Sequence, residues 1–384
     1  MNDEFIVFGS PRIEQPEIDE VVASMKSGWL GTGPKVKRFE EMFCDYKGSR
    51  FALAVNSCTA AMHLSMIVLG IGPGDEVIVP SMTFAATANA VLHTGGTPVF
   101  ADCERPTMNI DPMDIEARLT TRTKAIMPVH FAGRPCNMDA IMDIAESHDL
   151  KVVEDCAHAI EAEYHGRKAG TLGELGCFSF YVTKNVVTGE GGMVITDNEE
   201  YADKIRVLAL HGMSKDAWMR FSDEGFKHYQ VVYCGYKYNM TDMQAAIGIH
   251  QLPRVERYWE MRKEQWERYD RELSGLSVFL PALPEPETKH AYHLYTLLLD
   301  TDNLDITRDE FMDEMTRRNI GVGVHYIALH LHPYYQEALG YQKGDFPNAE
   351  WISERTVSIP LSPKLTVEKQ DSVIAAIKEV LADG

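Results

Sequence analysis

Between residues 51 and 196 the chain alternates short, nearly continuous apolar runs with longer stretches whose apolar residues recur at helical spacing. The short runs, at 51–55, 76–80, 98–101, 125–129, 152–154, 177–180 and 193–196, read as strands. The longer stretches, such as 59–69 and 138–147, end near turn signals such as Gly70-Ile71-Gly72-Pro73-Gly74. Strands without polar alternation, separated by helices, predict an α/β unit around a mainly parallel seven-stranded sheet with both faces covered. After residue 239 the pattern becomes a long helical stretch to 272, broken near Pro253, followed by a Pro-rich passage at 281–286. A strand at 292–299, a helix at 308–318, a strand at 322–326 and a terminal helix then predict a small C-terminal α+β unit. In that last helix Val373, Ile374, Ile377, Val380 and Leu381 share one face and Thr366 can cap its start. Two domains are expected, 1–253 and 254–384, with the N-terminal segment packing on the smaller one.

Composition narrows the classes of function. The chain has 384 residues, and 37 Lys plus Arg against 57 Asp plus Glu leave a formal charge of -20, a field that opposes non-specific binding to nucleic acid or anionic lipid. No apolar run approaches the roughly 18 residues that would span a bilayer. The start of the chain carries Asp3 and Glu4 where a secretory signal would be basic, so a cytoplasmic protein is expected. Seven scattered cysteines without a CxxC pair suggest reduced thiols rather than a disulfide framework or a cysteine zinc site.

The chemistry concentrates in Glu154-Asp155-Cys156-Ala157-His158-Ala159 at a strand end, then Ser179-Phe180-Tyr181-Val182-Thr183-Lys184-Asn185 and Gly189-Glu190-Gly191-Gly192. Taken alone, an acidic strand end and a lysine are ordinary surface features. Together they are what a pyridoxal phosphate site needs: a carboxylate for a pyridinium and an amine for a Schiff base. The glycine cluster lacks the spacing of a nucleotide phosphate loop and reads as a tight turn before a strand. His325, His330 and His332 come without carboxylate or cysteine ligand spacing, so no metal site is expected.

With these motifs the chain resembles the DegT/StrS family of sugar aminotransferases, vitamin B6 enzymes of fold type I. The likeness covers nearly the whole chain and extends through Gly28-Trp29-Leu30-Gly31-Thr32-Gly33-Pro34, Asn56-Ser57-Cys58-Thr59-Ala60-Ala61, Pro80-Ser81-Met82-Thr83-Phe84 and Gly235-Tyr236-Lys237-Tyr238-Asn239-Met240-Thr241-Asp242. The resemblance implies that Lys184 bonds the pyridoxal 5'-phosphate, Asp155 partners its ring nitrogen, Phe84 stacks on its face and His158 bonds its 3-hydroxyl. It implies a phosphate site from Ser57, Cys58, Thr59 and Ser179, completed by Asn239 of a second subunit in a homodimer with shared active sites. Cys58 stands where relatives commonly carry glycine. Substrate contacts are implied for His325 and His330, with His332 nearby and Trp29 and Thr32 on the opposite wall.

The same resemblance implies a two-stage reaction, from glutamate to 2-oxoglutarate and then from a nucleotide-linked 4-keto-6-deoxy sugar to the 4-amino sugar, for surface polysaccharide or glycan synthesis. Alternatives are amination at C3, a cofactor-dependent sugar dehydratase, which would carry His in place of Lys184, and a non-catalytic regulatory relative, which would have lost Lys184 or Asp155.

Overall fold

The computed structural model describes residues 4–214 and 229–383. At its centre, strands β1 (Phe51–Val55), β2 (Glu76–Pro80), β3 (Thr97–Ala101), β4 (Thr123–Ile126), β5 (Lys151–Asp155), β6 (Leu175–Ser179) and β7 (Gly192–Thr196) form a seven-stranded sheet. Their order is β1-β7-β6-β5-β4-β2-β3. β7 pairs antiparallel with β1 and β6, and every other pairing is parallel, so six strands run one way. Alternate residues serve opposite faces, as the strand period requires. Val194 joins the core with Met62, Leu64, Val77 and Val153, whereas its neighbours Met193 and Ile195 join Phe39, Phe43, Phe178 and Phe180.

Helix α1 (Gln15–Ser27) and helix α2 (Pro34–Lys47) precede the sheet, α3 (Cys58–Val68) follows β1, and α4 (Ala85–Leu92) follows the loop after β2. The helical stretch past residue 239 starts at Asp242, where Thr241 forms a reciprocal cap with Gln244. It divides into α5 (Asp242–Gln251), a 3-10 turn at Leu252–Arg254 containing Pro253, and α6 (Val255–Leu273). A second antiparallel sheet follows, β8 (Val278–Phe279), β9 (Tyr295–Leu299) and β10 (Thr356–Ile359). Its core gathers Tyr269, Tyr295, Phe311 and Val357 with Val373 and Ile377 of the last helix, and Ile6 joins them. Ile6 is strapped there by Ile6 N to Asn319 O and Gly321 N to Ile6 O, both 2.8 Å.

Two strands expected in the smaller unit differ. The one expected at 292–299 starts at Tyr295. The one expected at 322–326 is reduced to a single bridge, Gly323 to Ser358. Past Gly323 side chains take over from the ladder: His325 Nδ1 meets Ser358 Oγ at 2.9 Å and Thr356 Oγ1 donates to His325 O at 3.1 Å. The segment thereby leaves the small sheet and carries Tyr326 toward the large one.

Candidate active site

Parallel strands gather their C-terminal ends on one edge, where ligands of open α/β sheets bind. Register brings the phosphate candidates together there. Val55 pairs with Gly192, and Gly192 pairs with Ser179, so the ends of β1 and β6 flank one glycine. A Cβ on Gly192 would lie 2.5 Å from the backbone C and O of Ser57 and 2.7 Å from Cys58 N, so any larger residue would push the start of α3 away. Ser57 caps α3 by accepting from Ala60 N at 3.1 Å. The first amides of the helix, at Cys58 and Thr59, have no acceptor within the helix and sit at its positive end. The Cys58 thiol is buried and burial pushes its pKa far up, which leaves the residue's amide as its useful group.

Adjacent carboxylates at the end of β5 face opposite sides. Glu154 is fully buried and saturated: Oε1 accepts from Leu172 N and Gly173 N at 2.7 and 2.8 Å, and Oε2 accepts from Gly170 N at 2.7 Å and meets His130 Nε2 at 3.0 Å. Burial alone would raise its pKa, but the His130 contact and these amides outweigh burial and hold it below the ordinary value. Asp155 is 4% exposed, and among the described residues its carboxylate accepts only from Thr87 Oγ1 at 2.9 Å and Ala157 N at 3.1 Å. Here burial wins over the Ala157 amide, the Thr87 hydroxyl and the charge of Lys184, and the pKa is raised.

Lys184 follows β6 and lies close enough to feel both Cys58 and Asp155. Burial pulls its pKa down to about 8 against the opposing charge of Asp155. His158 is buried, and its Nδ1 accepts from Ala132 N at 3.3 Å, which puts the proton of the neutral ring on Nε2, 3.2 Å from the Tyr326 hydroxyl. Its ring lies 4.5 Å from that of His293, whose Nδ1 is 2.9 Å from Asn185 Oδ1. Asn185 spends its amide group on Glu161 Oε2 and Ala291 O, so His293 donates to it. Burial first, and the nearby Lys184 charge next, hold both histidines well below the ordinary value, hence neutral.

Phe84 ends the loop after β2 with 61% of its surface exposed, and its ring is 5.9 Å from that of Tyr326. Thr87, His293 and Tyr326 were not among the residues singled out in the sequence. Tyr326 alone had a signal, its place beside His325.

The expected substrate residues separate. His325 stacks on Phe8 with ring centroids 5.4 Å apart, and burial, then the Lys184 charge, lower its pKa to about 4. His330 is fully buried, with Nδ1 at 2.7 Å from Ser81 Oγ and Nε2 at 2.9 Å from Glu350 Oε1, so both ring nitrogens are taken. It braces the loop after β2 that carries Phe84, helped by Leu329 N to Ser81 O at 2.8 Å. Thr32 meets Asn239: its hydroxyl donates to Met240 O at 2.5 Å and accepts from Asn239 Nδ2 at 2.6 Å. Asp242 accepts from Lys35 N and Val36 N, capping α2, and a Cβ on Gly33 would strike both Asp242 and Trp29. The two segments 28–34 and 235–242 thus form one built unit.

The residues present fit a phosphate-bearing pyridine cofactor. Asp155 is a buried carboxylate to which no cation is bonded among the described residues, helix amides lie at the same sheet edge, and the exposed ring of Phe84 ends the loop after β2. A metal has less to hold: ligand atoms of His130, Glu154 and Cys156 lie within 4.8 Å of one another, but the Glu154 contacts above and Cys136 N to His130 Nδ1 at 3.0 Å occupy His130 and Glu154.

Residues 11–378 match the DegT/DnrJ/EryC1/StrS aminotransferase family. The chain is 48% identical over 378 residues to the spore coat polysaccharide biosynthesis protein SpsC of Bacillus subtilis, covering 98% of this chain and 97% of that one. It superposes on the putative sugar aminotransferase Spr1654 from Streptococcus pneumoniae, in its PMP form, with a TM-score of 0.92 and 32% identity, over 99% and 98% of the two chains. Against PseC of Helicobacter pylori, an aminotransferase involved in the biosynthesis of pseudoaminic acid, the TM-score is 0.92 at 26% identity, over 99% and 100%.

Proposed function

The chain belongs to the DegT/DnrJ/EryC1/StrS aminotransferase family, and from that premise we propose that it moves an amino group from glutamate to C4 of a nucleotide-linked 4-keto-6-deoxy sugar. It is a pyridoxal phosphate-dependent sugar aminotransferase with the fold of type I enzymes. The observation that carries the reading is the placement, at the end of β5 and on the loop after β6, of a buried Asp155 with no cation bonded to it among the described residues and a half-buried Lys184 whose lowered pKa feels the Asp155 charge. When bound, pyridoxal phosphate supplies a carbonyl that condenses with amines and a ring that withdraws electrons from the neighbouring carbon.

The chain's own residues do the rest. Asp155 holds the proton on the ring nitrogen, and Thr87 and the Ala157 amide hold Asp155. Lys184, with a sizeable neutral fraction near pH 8, would take a proton from the amino acid's Cα and return it two bonds away. His158, whose Nε2 proton direction is set by the Ala132 amide on its other nitrogen, would donate from Nε2 to the cofactor's 3-oxygen. Ser57, Ser179, the Thr59 hydroxyl and the amides of Cys58 and Thr59 hold the phosphate, Phe84 covers the ring, and His325, Trp29 and Thr32 face the substrates. His330 serves by positioning.

Support for polysaccharide or glycan synthesis comes from SpsC, and the preference for C4 rests on motif likeness through residues 235–242. The division into 1–253 and 254–384 belongs to the same proposal, supported by the turn at Pro253 and the separate core around Tyr269. The enzyme is placed in the cytoplasm as a homodimer. Seven free thiols suit a reducing compartment, and the exposed apolar side chains Val231, Val232 and Tyr233, near Asn239 in the chain, suit a subunit contact. Among the described residues no helix is long and apolar enough to cross a membrane.

A panel of nucleotide-linked 3-keto and 4-keto sugars, each incubated with glutamate, should give amine product only from 4-keto acceptors, with the position read by NMR. Amination at C3 would overturn the regiochemistry. Mixing Lys184→Ala and Asn239→Ala chains should restore about a quarter of wild-type activity, because half of randomly mixed dimers carry one intact site. Mixed dimers as inactive as their parents would remove the shared site.

A further inference from the structure

Thr83 stands immediately before Phe84 on the loop after β2, and Thr87 lies in the first turn of α4. Both are buried, at 1% and 0% exposed. Their hydroxyls lie 2.9 Å apart, and Thr87 Oγ1 donates to Asp155 Oδ2 at 2.9 Å. A hydroxyl has a single proton to give. Thr87 spends its proton on the carboxylate, so the contact between the two threonines is donated by Thr83. The relay thus runs one way, from the loop after β2 through α4 to the end of β5.

Other helical hydroxyls of this chain behave differently. Ser65, Thr316, Ser353 and Ser372 each donate to the carbonyl four residues back, the bond that a helical serine or threonine finds locally. For Thr87 the carbonyls three and four residues back are those of Phe84 and Thr83. Thr87 instead reaches Asp155, 68 residues away in sequence, while Thr83 presents its hydroxyl to the Thr87 oxygen. A hydroxyl that accepts one hydrogen bond donates its own more strongly, and buried surroundings enlarge the effect.

We propose that Thr83 is a positioning residue for Asp155: by donating to Thr87 it directs the Thr87 proton onto the carboxylate and ties that carboxylate to the loop that carries Phe84. This role rests on the reading of Asp155 as the partner of the ring nitrogen. Within that reading, the two groups assigned to the ring, Asp155 at its nitrogen and Phe84 on its face, are held in one hydrogen-bonded unit. The relay itself belongs to the chain, so it is measurable without turnover.

In the full-length, cofactor-free protein carrying carboxyl-labelled aspartate, carbon NMR reads the Asp155 titration directly, with the resonance assigned by its loss in Asp155→Asn. Donors to a carboxylate favour its charged form, so removing one raises the pKa. Thr87→Val should raise it by about 1, as loss of one hydrogen bond to a charged group would. Thr83→Val should raise it by about half as much, and Thr83→Ser, which restores the hydroxyl, should return it to the wild-type value. In the loaded enzyme Thr83→Val should lower kcat about threefold at unchanged KM for glutamate, and Thr83→Ser should restore it. Neutron diffraction from a crystal of the wild-type holoenzyme should place the Thr83 hydroxyl deuteron toward Thr87 and the Thr87 deuteron toward Asp155, a reading that stands even if the variants do not fold. An Asp155 pKa unmoved by Thr83→Val, or deuterons in the reverse order, would overturn the proposal. An Asp155 pKa that moves as expected while Asp155→Asn retains its turnover would instead overturn the role of Asp155 on the ring nitrogen.

Discussion

At the end of β5, Glu154 faces His130 and the turn at residues 170–173, whereas Asp155, one residue on, faces Thr87 and Lys184. Both are buried carboxylates on one strand, yet their pKa values move in opposite directions. On one side each oxygen is met by donors and the charge is stabilised in place. On the other the charge is buried with two donors and no bonded cation. A saturated buried acid is part of the scaffold, and an unsaturated one marks the place where a cationic ligand belongs.

Substitution should separate the two sides. Asp155→Asn is expected to lower turnover about 10³-fold, within the range of acid-base contributions, with thermal stability equal to wild type or higher. Calorimetry and steady-state kinetics on the same preparation check both halves. Glu154→Gln presents an amide to donors that need an acceptor and breaks the contact with His130. It should cost about 3 kcal/mol of stability, while the folded fraction retains cofactor binding. If Glu154→Gln abolished turnover without loss of stability, the assignment of the two sides would be reversed.

Acid titration sharpens the same contrast. Glu154 has a folded pKa below its ordinary 4.5, so its contribution to stability is present above that value and is lost as pH falls through the folded value. Asp155 has a folded pKa above its ordinary 3.8, so its charge costs stability at neutral pH and the cost is relieved on acidification. Denaturation followed from pH 7 to 3 should show a steep acid limb in wild type and in Asp155→Asn, and a shallower one in Glu154→Gln.

The smallest effects concern the histidine wall. His158→Ala is expected to lower kcat about tenfold, His158→Gln less, because the amide can still donate, and Tyr326→Phe only a few-fold. Nitrogen-edited NMR of the histidine rings should report His158 protonated on Nε2 and His293 on Nδ1. The opposite tautomers would contradict the hydrogen-bond directions set by Ala132 and Asn185.

How legible these regions were in the chain follows from how each is built. The large sheet and the residues at its edge are local products: an apolar run ends, a turn follows, and Ser57, Asp155 and Lys184 stand within a few residues of a strand end. The strand order, with β7 reversed between β1 and β6, makes neighbours of Ser179 and the start of α3, and the motif alone could not show that Gly192 is the spacer. The wall formed by residues 290–332 is a long-range product. The resemblance implied a substrate contact for His330, but its partners Ser81 and Glu350 lie 249 and 20 residues away in sequence and only the fold brings them to it. Tyr326 was missed for the same reason. An expected strand gave way there to side-chain bonds from Ser358 and Thr356.

The central claim is that Lys184 is the reactive amine, and borohydride reduction of the cofactor-loaded protein followed by peptide mapping tests it most directly. The label should fall on Lys184 alone. In cofactor-free protein the same amine should be modified by an amine-selective reagent with a rate that climbs as pH rises through about 8, unlike an ordinary lysine near 10.5. Addition of glutamate to the loaded protein before reduction should prevent the label. Covalent label on another lysine, or labelling of Lys184 that glutamate does not prevent, would contradict the account.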